Sequence, residues 1–165
     1  MIPIAAFVGK SNSGKTTLIE KVIGELTRRK YRVVSIKHTL HAFEIDHEGK
    51  DTWHHRKAGA VMTMISSPAQ IAVIESVARD YSIEELCRRF VTEADIVLVE
   101  GHKETKSPKV EVSASESIDD LLCLEDEQLI AIACDTHLGL HVPCYPRHRG
   151  DLFADLIEQR FLKGT

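Results

Sequence analysis

No run of apolar residues in this chain approaches the roughly 20 needed to cross a bilayer, and no basic segment leads into a long apolar core at the N-terminus. Neither a membrane span nor a signal peptide is expected. The four cysteines, Cys87, Cys123, Cys134 and Cys144, are scattered and form no C-x-x-C pair. Reduced thiols in a cytoplasmic protein fit that pattern better than a disulfide framework. Nine histidines are present, yet no Cys/His group has zinc-site spacing. Internal repeats and low-complexity linkers are missing. A basic excess is missing too: a net charge of −4 argues against a general nucleic-acid binder. What remains is 165 residues, 43% hydrophobic and 28% charged, which predicts one soluble domain over 1–165 with a substantial core.

One stretch stands out. Residues 9–17, Gly-Lys-Ser-Asn-Ser-Gly-Lys-Thr-Thr, fit G-x-x-x-x-G-K-[ST]. Glycines let the backbone turn tightly so that successive N–H groups point at a phosphate. A following helix adds its free N–H groups and positive dipole end. Lys15 supplies a mobile cation for the β- and γ-phosphates, and Thr16 a hydroxyl for Mg²⁺. The flanks agree: Pro3–Val8 reads as a short buried strand and Thr17–Arg29 as a helix with Leu18, Val22 and Leu26 on one stripe. Gly9, Lys10, Ser11, Asn12, Ser13, Gly14, Lys15, Thr16 and Thr17 are thus the candidate phosphate-binding residues.

Further along, Tyr31–Lys37 is β-branched and short, which predicts a second strand and a right-handed βαβ unit. Residues 38–49 read as a polar loop. Asp51–Ala58 reads as a short helix capped by Asp51 or Thr52. Ala60–Ser66 and Gln70–Val77 read as two strands joined by a tight turn. Ser82–Thr92 reads as a helix with Ile83, Leu86, Cys87 and Phe90 on one face. Asp95–Glu100 and Leu129–Cys134 predict buried strands, Lys109–Ser113 an edge strand because polar residues alternate there, and Gly150–Phe161 a closing helix. The expected fold class is α/β of P-loop NTPase type: a mainly parallel sheet flanked by helices, with an antiparallel edge hairpin.

A magnesium nucleotide needs an acid facing the glycine loop. Ile96–Val99 ending in Glu100 is a hydrophobic strand tipped by a carboxylate, suited to hold Mg²⁺ or orient a nucleophile. Asp46, in the loop after the second strand, is the other candidate catalytic or metal acid, so the expected metal set is Thr16, Asp46 and Glu100. Lys37 and His38, at the tip of that strand, either meet phosphate oxygens or form a solvated strand end. His54, His55, Arg56 and Lys57 are either an anion clamp or a solvated helix face. Asp135, after a buried strand, either accepts from a guanine's N–H donors or serves its own loop; the Asn-Lys-x-Asp element of many guanine-specific proteins is absent.

Taken together, the chain resembles the MobB family of molybdopterin-guanine dinucleotide biosynthesis adapters. The resemblance runs over most of its length and rests on Gly9–Leu18, Ser35-Ile36-Lys37-His38, Gly49-Lys50-Asp51-Thr52-Trp53, Arg56-Lys57-Ala58-Gly59-Ala60, Val97-Leu98-Val99-Glu100-Gly101 and Pro108-Lys109-Val110-Glu111-Val112. It implies a dimeric, GTP-binding P-loop protein, weakly hydrolytic at best, that acts beside the guanylyltransferase attaching GMP to molybdopterin. The P-loop also resembles that of dimeric P-loop proteins in which a second lysine reaches the partner subunit's nucleotide. Lys10 holds that position, while Ser11 and Asn12 replace the two glycines usual there. Two other classes stay open: a free-standing ligase or kinase resembling dethiobiotin synthetase, and a metal-delivery GTPase.

Overall fold

The computed structural model describes residues 2–136 and 138–163, packed as two compact units: residues 1–39 with 83–165, and residues 40–82. The first unit is built on a six-stranded sheet. Its strands are β1 (Ile4–Val8), β2 (Val33–Lys37), β5 (Ile96–Glu100), β6 (Lys109–Val112), β7 (Leu129–Ala133) and β8 (Cys144–Tyr145), in the order β2-β5-β1-β6-β7-β8. Every neighbouring pair is parallel. Parallel strands need crossovers, which cover both faces of a sheet. That is why these strands read as continuous apolar runs rather than alternating ones.

The two faces carry different cores. On one, Ala5, Phe7, Leu98 and Val110 meet helix α1 (Lys15–Arg28) and helix α4 (Gly150–Ile157) through Leu18, Val22, Leu26, Phe153 and Ile157, all with no more than 1% exposure. On the other, Ala6, Val8, Val97, Val99 and Ile132 pack with Ile83 of helix α3 (Ile83–Phe90). Burying each large aliphatic or aromatic side chain contributes roughly 1.5–3 kcal/mol. A π-helical turn, Glu158–Leu162, extends α4. The second unit holds helix α2 (Asp51–Lys57) and the antiparallel pair β3 (Met62–Ser66) and β4 (Ile71–Glu75), a separate two-stranded sheet. The hairpin exposes Met64, Ile65 and Ile71. No helix among the described residues is long and apolar enough to cross a membrane.

Several expectations need correction. The predicted edge strand at Lys109–Ser113 is an inner strand, β6, hydrogen-bonded between β1 and β7. Its polar residues are buried, Lys109 at 3% and Glu111 at 1% exposure, because each has its own partner. Lys109 donates to Asp126 at 2.7 Å, and Glu111 accepts the backbone N–H groups of Leu122 and Cys123 at 2.6 and 2.9 Å. Alternation of polar residues here marks satisfied burial, not solvent. Phe90 is 53% exposed rather than packed with Ile83. Helix α2 starts after Lys50, with Asp51 in its first turn and no side-chain cap bond. Helix α1 begins two residues earlier than predicted, at Lys15.

Gly150 marks the crossing of α4 over α1. A β-carbon there would lie 2.5 Å from Lys21 Cβ and 3.1 Å from the Lys21 carbonyl carbon. Gly150→Ala is therefore expected to force the helices apart at a cost of about 1–3 kcal/mol, the usual range for overpacking. Urea titration should show a lower midpoint with an unchanged slope; an unchanged midpoint would show that the crossing yields freely.

Candidate functional site

The carboxyl ends of β2, β5 and β1 converge because of register. Lys37 stands level with Glu100, and Glu100 level with Phe7, one residue before the end of β1. From there the chain turns through the glycine loop. Gly9 has φ 143° and Gly14 φ 97°. At Gly9 a β-carbon would lie 2.2 Å from the Val112 carbonyl oxygen, an impossible contact, so the loop can pass over β6 only with glycine there. Gly14 in its left-handed conformation starts α1 without a side-chain cap, and the first turn holds no acid. Its leading N–H groups and the positive end of the dipole are left to an anion.

The side chains around the loop form a cleft of about 520 Å³ lined by Ser11, Asn12, Gly14, Lys15, Thr16, Thr17, Lys37 and Glu100. All eight were expected from the sequence. Lys15 Nζ donates to the carbonyl oxygens of Gly9 at 3.0 Å and Lys10 at 2.6 Å. Burial lowers the pKa of this ammonium, Glu100 opposes the shift, and Lys37 adds to it. Thr16 Oγ1 donates to Glu100 Oε1 at 2.9 Å, and Lys37 Nζ lies 3.4 Å from the same oxygen. The Thr16 hydroxyl and the Glu100 carboxylate are neighbouring hard oxygen donors, the kind of set a magnesium ion takes. His38 donates its backbone N–H to the Glu100 carbonyl oxygen at 3.0 Å, and its ring meets His102 edge-on at 4.6 Å between centroids.

Three further predicted residues, Lys10, Asp135 and Asp46, have side-chain partners within the protein. Lys10 is paired with Asp120. Asp135 receives Arg147 through three bonds: the backbone N–H at 3.0 Å, Nε at 3.0 Å and Nη2 at 2.6 Å. Those bonds hold its carboxyl below the usual range. Arg147 also donates from Nη1 to the Ser13 carbonyl oxygen at 3.1 Å, so one side chain ties the end of β7 to the glycine loop. Sequence reasoning missed Arg147, since the parallel pairing of β7 with β8 brings it beside Asp135 and no motif announces that. Asp46 belongs to the second unit. Its carboxylate accepts from the His47 N–H and the Thr52 hydroxyl, both at 3.0 Å, and from Arg56 Nη2 at 3.4 Å. This local knot folds the 46–56 segment and commits Arg56, one of the candidate anion-clamp residues. No group of three or more His, Cys, Asp and Glu side chains among the described residues is placed to hold a metal.

Comparison with known proteins agrees with this geometry. The family model for "Molybdopterin guanine dinucleotide synthesis protein B" matches residues 4–135. The chain is 35% identical over 158 residues to the molybdopterin-guanine dinucleotide biosynthesis adapter protein of Haemophilus influenzae, covering 95% of this chain and 88% of the relative. It is 36% identical over 163 residues to the adapter of the same name from Escherichia coli, covering 95% and 92%. The crystal structure of Bacillus subtilis MobB superimposes with a TM-score of 0.77 at 28% identity, covering 99% of this chain and all of that one. With its glycine loop, Glu100-tipped strand and near full-length matches, the chain belongs to the MobB family.

Proposed function

We propose that this chain binds a guanosine triphosphate with Mg²⁺ and works in the cytoplasm, as a homodimer, as the adapter of the enzyme that attaches GMP to molybdopterin. The observation that carries the reading is the cleft itself, where Lys15, Thr16 and Glu100 meet at the start of an uncapped helix. Backbone N–H groups and Lys15 would take the phosphates. Thr16 and Glu100 would hold the Mg²⁺, which neutralises developing phosphate charge when bound. The family resemblance and the printed names of the relatives support the adapter role.

Slow hydrolysis fits the same geometry. Arg147 touches the glycine loop, and its guanidinium is committed to Asp135 and to the Ser13 carbonyl. With Arg147 committed in this way, intrinsic turnover of about 10⁻⁴ to 10⁻² per second is expected, the range for such proteins lacking an arginine finger. Turnover above roughly 1 per second with a small carboxylic acid and no protein partner would instead mark a free-standing enzyme.

Lys15→Ala is expected to keep the fold and lose about ten- to a hundredfold or more in triphosphate affinity, as one charge-assisted contact is worth roughly 1.5–3 kcal/mol. Calorimetric titration with GTP and ATP checks this and the base preference together, and sedimentation of the same samples gives the oligomeric size. Unchanged affinity would sink the phosphate role of Lys15. Glu100→Gln preserves shape and removes the charge a hard cation wants. Nucleotide binding should survive in that variant while its Mg²⁺ dependence and any hydrolysis weaken; if both match the parent, Glu100 is only a strand end.

A further inference from the structure

The direction of one peptide plane decides whether the glycine loop can hold an anion. No peptide bond among the described residues is cis. In a planar trans unit the carbonyl oxygen and the following N–H point in opposite directions. The Ser13 carbonyl oxygen points to Arg147 Nη1, 3.1 Å away. The Gly14 N–H therefore points away from that guanidinium, and Gly14 lines the cleft together with Lys15 and Thr16. No acceptor among the described residues meets this N–H. Glycine takes positive and negative φ about equally, and Gly14 sits at φ 97°. Its peptide can thus turn over at little steric cost, which would set a carbonyl oxygen where the N–H now stands.

Arg147 can hold that plane because it is held itself. One Asp135 oxygen accepts the Arg147 backbone N–H, and the other accepts Nε and Nη2, which leaves Nη1 for Ser13. A guanidinium forked onto a carboxylate is fixed in direction as well as in distance. The segment that carries Arg147 is anchored at both ends. Before it, Tyr145 pairs with Ala133 of β7. After it, Gly150 packs against Lys21 of α1, and the Lys21 ammonium donates to the His148 carbonyl oxygen at 3.3 Å. Arg147 fills three of the roughly four acceptor positions on the Asp135 carboxylate. Reading a guanine's two N–H donors would require some of those bonds to open.

We propose that Arg147 and Asp135 are a positioning pair for the nucleotide's phosphates and do not read its base. Asp135 aims Arg147, Arg147 holds the Ser13 carbonyl, and the Gly14 N–H is thereby kept turned toward the cleft for a phosphate oxygen. The inference rests on the nucleotide binding proposed above and adds two residues that need touch no ligand atom. Without the brace, molecules with the plane reversed offer an oxygen to an anion and do not bind it, so affinity falls by the fraction still correctly turned. Both side chains of the pair are partly exposed. Exposed ion pairs contribute little to stability, so the loss is expected in binding and not in folding.

The test titrates the full chain, by calorimetry with Mg²⁺, against GTP and against inorganic tripolyphosphate, which has the phosphates and no base. Arg147→Met and Asp135→Asn are each expected to weaken both ligands about tenfold, by factors that agree within about twofold, as if the plane were correctly turned about one time in ten. Arg147→Lys keeps the charge and loses the fork, so it should recover only part of the affinity. In amide spectra of the isotope-labelled, ligand-free chain, Arg147→Met should move or broaden the Gly14 signal and leave the signals of the α1–α4 core in place. If one variant fails to fold, the other carries the comparison. A loss for GTP with tripolyphosphate unchanged would make Asp135 a base reader and overturn the proposal. So would unchanged affinity for both, a lysine variant as tight as the parent, a Gly14 signal that stays put, or a parent that binds GTP and not tripolyphosphate. A parent that binds neither ligand would overturn the proposed nucleotide function instead, while the Gly14 signal would still show whether Arg147 sets the plane.

Discussion

The Val112 carbonyl oxygen leaves no space for a β-carbon on Gly9, and much of the first unit follows from that contact. The glycine loop can lie down only over a β6 that already runs parallel beside β1. For β6 to occupy that inner position, its Lys109 and Glu111 must be buried, and burial is tolerable only because Asp126 and the 122–123 backbone meet them. Lys109 is buried while Asp126 is about a third exposed, so removing Asp126 would leave a buried ammonium unpaired, at a cost below the roughly 3–5 kcal/mol typical of fully buried pairs. The glycine loop and the charges that hold the sheet centre are therefore parts of one arrangement.

The sequence was readable where the chemistry is local. Nine consecutive residues specify the glycine loop, and a strand ending in an acid specifies Glu100. Register then set Glu100 level with Lys37 without any further signal. The edge assignment of β6 failed for the opposite reason. Strand alternation reports which positions differ in polarity, not whether the polar ones have buried partners, and Asp126 lies well outside the strand. Arg147 and Asp120 were illegible for the same reason. Their contacts to Asp135, Ser13 and Lys10 join residues far apart in the chain, and only the finished sheet brings them together.

Most cations at the glycine loop already have oxygen partners. Lys15 rests on two loop carbonyls, Lys37 lies near Glu100, Lys10 is paired with Asp120, and Arg147 is held by Asp135. An incoming phosphate would exchange these contacts rather than order loose side chains, so less conformational entropy is lost on binding. Lys15 bonds are to neutral carbonyls, weaker partners than a charged phosphate oxygen. Arg147 is held by a carboxylate through three bonds and has the least to gain by moving.

The parallel sheet also dictates when the loop can first function during synthesis. Ile4 pairs with Val97 and Phe7 with Val110, so β1 has no strand partner until the chain has grown far beyond it. At the usual 5–20 residues per second, β1 leaves the ribosome roughly 5–20 s before β5. Over that interval the glycine motif is present as sequence but lacks the sheet that shapes it. Until its neighbours arrive, an apolar strand waits exposed.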